Sequence, residues 1–518
     1  MNSRVELKKL LEKVDLSDGS SIEQYALNLV GMTFREVLDL GITPIGYEPK
    51  DYGNKRYKGG MGNLLEERFF GYKSNSDDRA DFPEAGVELK ATCFDIRKKD
   101  HQPVAGERLV LSMIPFDEPI DDDFYSSHVW EKCRSMLLVY YQRDRAIDKY
   151  DQHIEYVKLF TPSEEDLKII ADDYRKIVSY IQAGRAHELS EGMTTYLGAA
   201  TKGATEASSW TNQYYPTVNP DGTKSTHQAK KRAFSLKRQY MDYVLHHYLM
   251  GEASEAEPVV TVSDLSHETF EQHIQRLIKA HVGKSDREIA SEYELAYTGN
   301  KAQWSTLVSR MLGVSGTRPE EFAKAGIAVH TVRIENNGKN KENLPIVPID
   351  FKKLLDETWE ESELRSFLDE NRFFFVVFKK EAGEYRLKGC TFWNIPVSDL
   401  DGEVRRCWKE AQETIKRGVK LVEEKRKNGK IIYRNDLPGM ADNQIAHVRH
   451  KADKTAYLLE DGTVVGDVKK DALPLPDGRW MTKQSFWLNN SYILSILHSR
   501  GLEQYYAYEP STCPFTLL

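Results

Sequence analysis

Two kinds of hydrophobic pattern alternate along the chain and predict a mixed α/β fold. In VELKATCF (87–94) apolar side chains recur at every second position, which is typical of a strand with one buried face, and IAVHTVRI (327–334) is interpreted as the equivalent strand later in the chain. CRSMLLVYY (133–141) and NRFFFVVFK (371–379) contain continuous apolar runs, as strands buried on both faces do. SEEDLKIIADDYRKIVSYIQ (163–182) has the spacing of an amphipathic helix. We therefore predict central mixed sheets flanked by helices.

Several segments occur twice in the same order, which predicts a duplicated domain. The clearest pair shares Phe-x-Leu-x-x-x-Tyr-(Met/Ile)-x-x-(Val/Ile)-Leu-His without a gap. The matched pairs are 65–71 with 307–313, 81–90 with 321–330, 133–141 with 371–379, and 234–246 with 486–498. Residues 251–264 (GEASEAEPVVTVSD) are small, acidic and proline-containing, as linkers are. We predict one domain at 1–250, a linker at 251–264 and a second domain at 265–518.

Composition restricts the class of protein. With 40% hydrophobic and 29% charged residues, the chain has the make-up of a folded, water-soluble protein. It has no membrane-length apolar run and no signal-peptide core, so we expect a cytoplasmic protein without membrane contact. The five cysteines include no C-x-x-C pair, which favours reduced thiols over disulfides or a cysteine zinc site.

The charge distribution leaves nucleic-acid binding open. The net charge of −8 is unusual for a DNA-binding protein, but only the local charge matters at an interface. Basic clusters occur at 230–238 and 416–430. Solvated surface helices produce similar clusters, so these runs alone do not decide.

The segment DFPEAGVELK (81–90) carries the candidate chemistry. Glu88 and Lys90 alternate with apolar residues and should project from the same side of a strand, while Asp81 can return to them across a turn. Two carboxylates suit Mg²⁺, and a neighbouring lysine can orient or deprotonate a water for attack on a phosphodiester. A salt-bridged surface strand would contain the same three residue types, so the pattern alone leaves both interpretations open.

A glycine-rich turn before this segment leads into an amphipathic helix (58–71). Glu66 and Glu67 both lie off the apolar stripe of that helix, and spacing does not choose between them. The turn lacks the Gly-Lys-(Ser/Thr) of a phosphate-binding loop.

These motifs carry a family resemblance. KGGMGNLLE (58–66), DFPEAGVELK and SHVWEKCRSMLL (127–138) resemble the MutH family of GATC-directed endonucleases. Nearly the whole chain, including WMTKQSFWLNN (480–490), is similar to the two-domain, MutH-like type II restriction endonucleases that cleave at GATC. The resemblance implies two tandem PD-(D/E)xK domains, the first catalytic and the second inactive, with Mg²⁺ as cofactor.

The resemblance also assigns roles to residues. It places the helix glutamate on Glu66 rather than Glu67 and the metal ligands on Asp81 and Glu88. The implied catalytic set is Glu66, Asp81, Glu88, Lys90 and Lys132.

A second set of residues is implied in DNA binding. Lys202 matches the lysine that ends the base-reading loop of the family, although Ala200 and Thr201 replace the residues expected before it. Ser235 stands where the hemimethylation-sensing repair enzyme has a tyrosine, so we predict cleavage regardless of adenine methylation. The further DNA-binding candidates are Lys237, His447, Arg449, Lys483 and Asn489.

The second copy retains the packing residues of the motif and loses its chemistry. The internal alignment pairs the five catalytic positions with Val308, Glu321, Ala328, His330 and Glu370. Since a single carboxylate beside an alanine is a poor Mg²⁺ site, we predict a non-cleaving domain that binds a second GATC sequence as an allosteric effector. The expected partner is double-stranded GATC DNA, on which two chains self-associate. The alternatives are a GATC-directed repair nickase and a non-catalytic DNA-binding regulator.

Overall fold

The computed structural model describes residues 4–48, 50–54, 59–74, 79–202, 209–316, 318–340, 342–425, 431–452 and 454–502. Lys58, residues 203–208 after Lys202, residues 426–430 of the second basic cluster and Cys513 lie outside these ranges. The chain forms two compact units, Met1–His273 with Arg318–Ile327, and Ile274–Thr317 with Ala328–Leu518.

The first 250 residues alternate between strands and helices, as the hydrophobic pattern predicts. Their helices are α1 (Arg4–Leu11), α2 (Gly19–Ala26), α3 (Phe34–Asp39), α4 (Gly60–Arg68), α5 (His128–Cys133), α6 (Glu164–Gln182) and α7 (Arg238–Val244). Their strands are β1 (Glu88–Ile96), β2 (Pro103–Ala105), β3 (Leu109–Met113), β4 (Met136–Gln142), β5 (Ile154–Phe160), β6 (Leu197–Thr201), β7 (Trp210–Asn212), β8 (Thr217–Val218), β9 (Lys224–Ser225), β10 (Gln228–Lys230) and β11 (Arg232–Leu236).

Two sheets organise the first unit. One has the order β2-β1-β4-β5, with β1 parallel to β4 and the outer pairs antiparallel. The other has the antiparallel order β3-β11-β6. The apolar run of β4 lies inside the first sheet, where Leu137 and Val139 are fully buried. Burying each such side chain contributes roughly 1.5–3 kcal/mol, so this strand anchors β1 beside it.

The remaining chain contains a second set of elements. Its helices are α8 (Phe270–Lys279), α9 (Asp286–Glu292), α10 (Lys301–Met311), α11 (Glu320–Ala325), α12 (Lys353–Asp356), α13 (Glu363–Glu370), α14 (Val397–Asp399), α15 (Arg405–Arg417), α16 (Val468–Asp471) and α17 (Asn490–Ser499). Its strands are β12 (Ala328–Ile334), β13 (Leu344–Pro348), β14 (Phe373–Glu381), β15 (Glu384–Trp393), β16 (Leu421–Lys425), β17 (Ile431–Asn435), β18 (Ala446–His450), β19 (Tyr457–Leu458), β20 (Val464–Val465), β21 (Ala472–Pro474), β22 (Trp480–Thr482) and β23 (Gln484–Leu488).

The second unit repeats the strand order of the first. Its sheet β12-β14-β15 has β12 parallel to β14 and β14 antiparallel to β15, as β1, β4 and β5 do. Its antiparallel sheet β13-β23-β18 corresponds to β3-β11-β6, and α17 follows β23 as α7 follows β11. The prediction of a mixed α/β fold is confirmed, and both sets of sheets have the same topology.

Residues on both sides of the predicted linker lie in the first unit. Val259 and Val260 donate backbone hydrogen bonds to the carboxylate of Glu321, and Lys324 pairs with Asp166 at 2.9 Å. The segment 318–327 therefore packs with the first unit, although its sequence belongs to the second copy. The division into a catalytic and an effector domain stays a prediction.

The described cysteines Cys93, Cys133, Cys390 and Cys407 are free and buried, as expected for reduced thiols. Across the described residues, no helix combines the length and the apolar character that crossing a membrane requires.

Candidate active site

The predicted carboxylates meet where strand β1 begins. The backbone N–H of Asp81 donates to Oε2 of Glu88 at 3.3 Å, and the N–H of Leu89 donates to Oδ2 of Asp81 at 2.9 Å. Gly86 permits this return because its φ is +64°, and a Cβ added there would lie 2.5 Å from the guanidinium of Arg134. The turn predicted from the sequence therefore brings Asp81 back to the head of β1.

Two lysines share the carboxylate of Glu88. Lys90 Nζ lies 2.8 Å from Oε1, and Lys132 Nζ lies 3.1 Å and 3.2 Å from the two oxygens. Lys132 also donates to the carbonyl of Arg79, and it is carried by α5, which Ser127 caps. Glu88 is only 3% exposed, so this double pairing compensates a buried negative charge.

The structure distinguishes the two helix glutamates. The carboxylate of Glu67 is buried and bonds to Lys50, Tyr52 and Ser74. Glu66 instead interacts electrostatically with Asp81 and Glu88. Glu67 therefore supports the fold, whereas Glu66 lies near enough to Asp81 and Glu88 to feel their charges and stays the predicted site residue of this helix.

The carboxyl groups of this corner hold their protons unusually tightly. Burial, followed by the negative charges of Asp81 and Glu88, raises the pKa of Glu66 to about 8. Burial, followed by the charge of Glu88, raises the pKa of Asp81 to about 6. A bound cation would favour the ionised forms and reverse both shifts.

Tyr72 is a member of the site that sequence reasoning missed. Its backbone N–H donates to the carbonyl of Glu66 at 3.1 Å, and its ring packs against Phe82 at 5.5 Å between centroids. Its hydroxyl is buried and has no hydrogen-bond partner among the described residues. Burial, followed by the charges of Asp81, Glu66 and Glu88, raises the pKa of this hydroxyl. In the sequence, the only feature that marks Tyr72 is its place directly after Gly71, the last residue of the repeated segment 65–71.

The donor set fits Mg²⁺. Among the described residues, no three His, Cys, Asp or Glu side chains form a ready metal-binding group. Mg²⁺ takes one or two carboxylates and keeps several waters, so the pair Asp81 and Glu88 satisfies its usual requirement. The raised pKa values and the unpartnered hydroxyl of Tyr72 are the features expected where a cation and its waters complete a site.

The equivalent corner of the second unit has different chemistry. Strand β12 begins with Ala328 in place of Glu88, and helix α10 has the buried Val308 in place of Glu66. Glu88 pairs with Met136 and Ala328 with Phe373. Met136 and Phe373 are therefore equivalent, and stepping back by the same number of residues leads from Met136 to Lys132 and from Phe373 to the buried Asp369. The structure thus pairs Lys132 with Asp369, whereas the sequence alignment paired it with Glu370.

The counterpart of Lys90 is a neutral imidazole. His330 packs between Phe373 and Phe375, with ring centroids at 5.7 Å and 6.3 Å. Burial, followed by the charge of Lys301, lowers the pKa of His330 to about 4. At neutral pH this position therefore has no charge to offer a phosphate.

Several predicted DNA-binding residues lie inside the protein. Ser235 is fully buried in β11, and Lys237 is 2% exposed with its Nζ bonded to the carbonyl of Thr194. His447 and Asn489 are buried and bond to each other at 2.6 Å. Internal hydrogen bonds, which sequence patterns do not reveal, occupy three of these side chains. Their role as DNA contacts stays a prediction for all four residues, and their burial does not support it.

The other three candidates lie at the surface or close to it. Lys202 is half-buried at the end of β6. Arg449 is exposed, with its guanidinium 5.6 Å from the ring centroid of Trp487. Lys483 is half-buried, and its Nζ donates to the carbonyl of Lys470.

Comparison with known proteins agrees with this geometry. Residues 70–173, which contain Asp81, Glu88, Lys90 and Lys132, match the family model of the DNA mismatch repair enzyme MutH. The chain is 33% identical over 463 residues to the type II restriction enzyme Sau3AI of Staphylococcus aureus, covering 85% of this chain and 92% of that enzyme.

MutH repair proteins match a smaller part of the chain. The DNA mismatch repair protein MutH of Actinobacillus pleuropneumoniae serotype 3 (strain JL03) is 27% identical over 195 residues, which is 38% of this chain and 80% of that protein. The MutH of Shewanella woodyi is 27% identical over 222 residues, or 42% of this chain and 87% of that protein. Since the restriction enzyme aligns across both units, the chain belongs to the MutH-like type II restriction endonucleases and is a site-specific deoxyribonuclease.

Proposed function

We propose that this enzyme uses Mg²⁺ to cut both strands of DNA at GATC, whatever the methylation state of the adenine. The observation that carries the proposal is the buried carboxylate of Glu88, shared by Lys90 and Lys132 beside Asp81. In this assignment the catalytic residues are Glu66, Asp81, Glu88, Lys90 and Lys132.

The two carboxylates at the head of β1 would hold the cation. Asp81 and Glu88 present hard oxygen donors on a rigid strand and turn, as Mg²⁺ requires. When bound, Mg²⁺ supplies charge stabilisation for the phosphate under attack. Lys90, no longer needed to neutralise Glu88 alone, can orient the attacking water by donating a hydrogen bond to it, and in its neutral amine form it can accept the proton of that water.

The surrounding side chains set the geometry. Lys132 contacts both oxygens of Glu88 and so fixes the rotation of that carboxylate. The hydroxyl of Tyr72 lies close enough to Glu66, Asp81 and Glu88 to feel their charges, and together with Glu66 it would hold a water by hydrogen bonds. Burial of the corner limits bulk water, which strengthens each of these electrostatic interactions.

Plasmid digestion tests the reaction. With Mg²⁺ we expect linear products whose sequenced ends all lie at GATC, and with EDTA we expect no cleavage. Nicked circles as the end product would support the repair-nickase alternative, and intact plasmid in both conditions would support a non-catalytic regulator.

The methylation part of the proposal rests on Ser235. This residue is small, and its cross-strand neighbour in β6 is Gly198, so this pair of positions carries little side-chain bulk. Digestion of unmethylated, hemimethylated and fully methylated GATC duplexes should give equal rates. A strict preference for one of the three duplexes would refute this part and leave the nuclease assignment intact.

One catalytic corner per chain implies pairing on DNA. GATC is palindromic, and cutting both strands with one site per chain requires two chains related by the two-fold axis of the sequence. Light scattering with and without a GATC duplex should show two chains assembling on the DNA.

The second unit is proposed to bind a second GATC sequence as an effector. Its loss of Glu66, Glu88 and Lys90 equivalents supports a role without cleavage. A two-site plasmid should be cut faster than a one-site plasmid, and added GATC oligonucleotide should accelerate the one-site reaction. Equal rates without stimulation would remove the effector role.

A further inference from the structure

The end of strand β6 in the first unit is tied to its surroundings by two backbone hydrogen bonds. The N–H of Lys202 donates to the carbonyl of Lys231 at 2.7 Å, and the N–H of Lys231 donates to the carbonyl of Ser209 at 2.6 Å. The ladder between β6 and β11 ends just before, at the pair Thr201 and Arg232. Lys202 and Lys231 therefore stand side by side at the end of the second sheet.

The second unit contains the same arrangement. The N–H of Lys451 donates to the carbonyl of Lys483 at 3.0 Å, and the N–H of Lys483 donates to the carbonyl of Asp471 at 3.0 Å. The ladder between β18 and β23 ends at the pair His450 and Gln484. By hydrogen bonding and register, Lys451 and Lys483 are thus the counterparts of Lys202 and Lys231. Weak sequence similarity between 202–231 and 451–483 hides this equivalence.

Several basic residues of the second unit lie on or just after β18, on α16 and just before β23, the elements that carry this position. We define the lysine edge as Arg449, Lys451, Lys454, Lys469, Lys470 and Lys483. Among the described residues, none of these side chains forms an ion pair with a carboxylate. Elsewhere in the same unit lysines are paired, as in Lys284 with Glu292 and Lys353 with Glu363.

The local geometry keeps these charges facing solvent. Arg449 is exposed over the ring of Trp487, and Lys470 is exposed on the short helix α16, whose Asp467 caps the helix and whose Asp471 is buried. The backbone carbonyl of Lys470 accepts a hydrogen bond from Lys483 Nζ, which places the ammonium group of Lys483 beside helix α16. An unneutralised cluster of this kind is electrostatically costly unless a polyanion neutralises it.

From these observations we infer that the lysine edge is the DNA-binding surface of the second unit, with Lys451 occupying the position that Lys202 has in the first. This inference rests on the proposed function, because it takes GATC duplex DNA as the ligand. Lys451, Lys470 and Lys483 would contact phosphates, while the buried His447 and Asn489 would support the strand ends beneath them.

Equilibrium binding of the full-length chain tests the inference. Glu88→Gln in every protein prevents cleavage, and a labelled GATC duplex is titrated at several salt concentrations. The test variant is Lys451→Ala/Lys470→Ala, and the matched control is Lys339→Ala/Lys352→Ala, which removes two exposed lysines of the same unit that form no ion pair among the described residues. Acetylation of lysines in the parent, with and without duplex, provides an independent map.

We expect the test variant to lose the second class of binding site and the control to retain it. The slope of log K against log salt should fall by roughly two, since each phosphate contact contributes about 0.9. In the parent, the duplex should protect Lys451 and Lys483 from acetylation but not Lys352. Matching circular dichroism spectra would show that both double variants fold.

Two results would overturn the inference in different ways. If the test variant keeps both classes of site and the parental salt slope, the second unit binds DNA elsewhere, and the effector proposal survives. If the parent itself shows one class of site and no protected lysine on the edge, the effector proposal fails together with this surface.

Discussion

The head of strand β1 and the head of strand β12 occupy the same place in two copies of one fold. Both follow a glycine with positive φ, Gly86 and Gly326, and both lie parallel to a strand buried inside the sheet. At the first, two lysines surround a buried glutamate, whereas at the second an alanine stands in the same position. The backbone frame is therefore independent of the chemistry, and only the side chains that face the corner decide whether a nuclease site forms.

The remaining acidic residue of the second copy has acquired a structural use. Glu321 aligns with Asp81, but its carboxylate accepts hydrogen bonds from Val259 and Val260. Its segment packs with the first unit, while Ala328 lies in the second. Replacing Ala328 by glutamate would therefore not recreate the pair of carboxylates seen at Asp81 and Glu88, because the backbone hydrogen bonds already occupy the carboxylate of Glu321.

Removing the shared carboxylate should have the largest effect. Glu88→Gln keeps the shape of the side chain but removes its charge, so both lysines lose their counter-ion and the cation loses a carboxylate ligand. Since a metal ion supplies several kcal/mol of transition-state stabilisation and each 1.4 kcal/mol is tenfold in rate, kcat should fall by roughly 10³ or more. Single-turnover cleavage of a GATC duplex measures this.

The counterpart of Glu88 in the second copy is Ala328, which has no carboxylate to remove, so the control for loss of a glutamate charge is Glu370→Gln, on the helix that corresponds to α5. We expect its cleavage rate to stay within about twofold of the parent, as surface substitutions away from a site usually have small effects. Comparable losses in the two variants would break the distinction between the corners.

The sequence predicted the fold class and the core of this site, and failed where the answer depends on packing. Asp81, Glu88 and Lys90 could be found because their spacing follows strand and turn geometry. Spacing could not choose between Glu66 and Glu67, and the family resemblance made that choice; in the structure, the contacts of Glu67 with Lys50, Tyr52 and Ser74 separate the two.

The same limit applies to the DNA-binding candidates. Lys237, His447 and Asn489 have the residue types that bind DNA, yet each makes an internal hydrogen bond in the structure. Lys451 was missed because its equivalence to Lys202 lies in strand register, which the sequence does not display.

The two lysines around Glu88 should differ in their effect on rate. Lys90 contacts one oxygen of Glu88 and is free to serve the water, so Lys90→Met should lower kcat by roughly 10²–10⁴, as expected for loss of a proton-transfer group. Lys132 is also held by the carbonyl of Arg79, so Lys132→Met should act through the orientation of Glu88 and cost about tenfold.

His330→Ala provides the comparison in the second copy, since this imidazole is neutral and packed among aromatic rings. Its rate should equal that of the parent. An equal loss for Lys90→Met and Lys132→Met would show that the two lysines do not have separate roles.

Tyr72→Phe tests the residue that has no obvious partner. A buried hydroxyl without a hydrogen bond costs about 1–3 kcal/mol, so its removal should leave the metal-free protein as stable as the parent or more stable. If the hydroxyl orients water around the cation, the apparent Mg²⁺ affinity should fall by about tenfold. Mg²⁺ titrations of both cleavage rate and melting temperature measure this.

Tyr52→Phe is the matched control, because the hydroxyl of Tyr52 already donates to Glu67. It should lower the melting temperature without changing the Mg²⁺ dependence. The opposite pattern in the two variants would assign Tyr72 a purely structural role.

The smallest expected effect is a pH dependence of stability in the absence of metal. Asp81 and Glu66 have folded-state pKa values raised to about 6 and about 8, from 3.8 and 4.5. They bind protons more tightly when folded, so their stabilising contribution is complete below pH 4 and is lost as the pH rises through these values. The melting temperature of the first unit should therefore fall between about pH 4 and about pH 8, by roughly 2–4 °C for each kcal/mol lost. Glu66→Gln should remove the part of this decline at the higher pH values, whereas the control Glu370→Gln should retain the whole decline. Mg²⁺ should raise the melting temperature more at pH 8 than at pH 6, because it binds the ionised carboxylates. Parallel curves for the parent and Glu66→Gln would show that Glu66 ionises in the folded protein as it does in the unfolded chain, and would remove it from the corner.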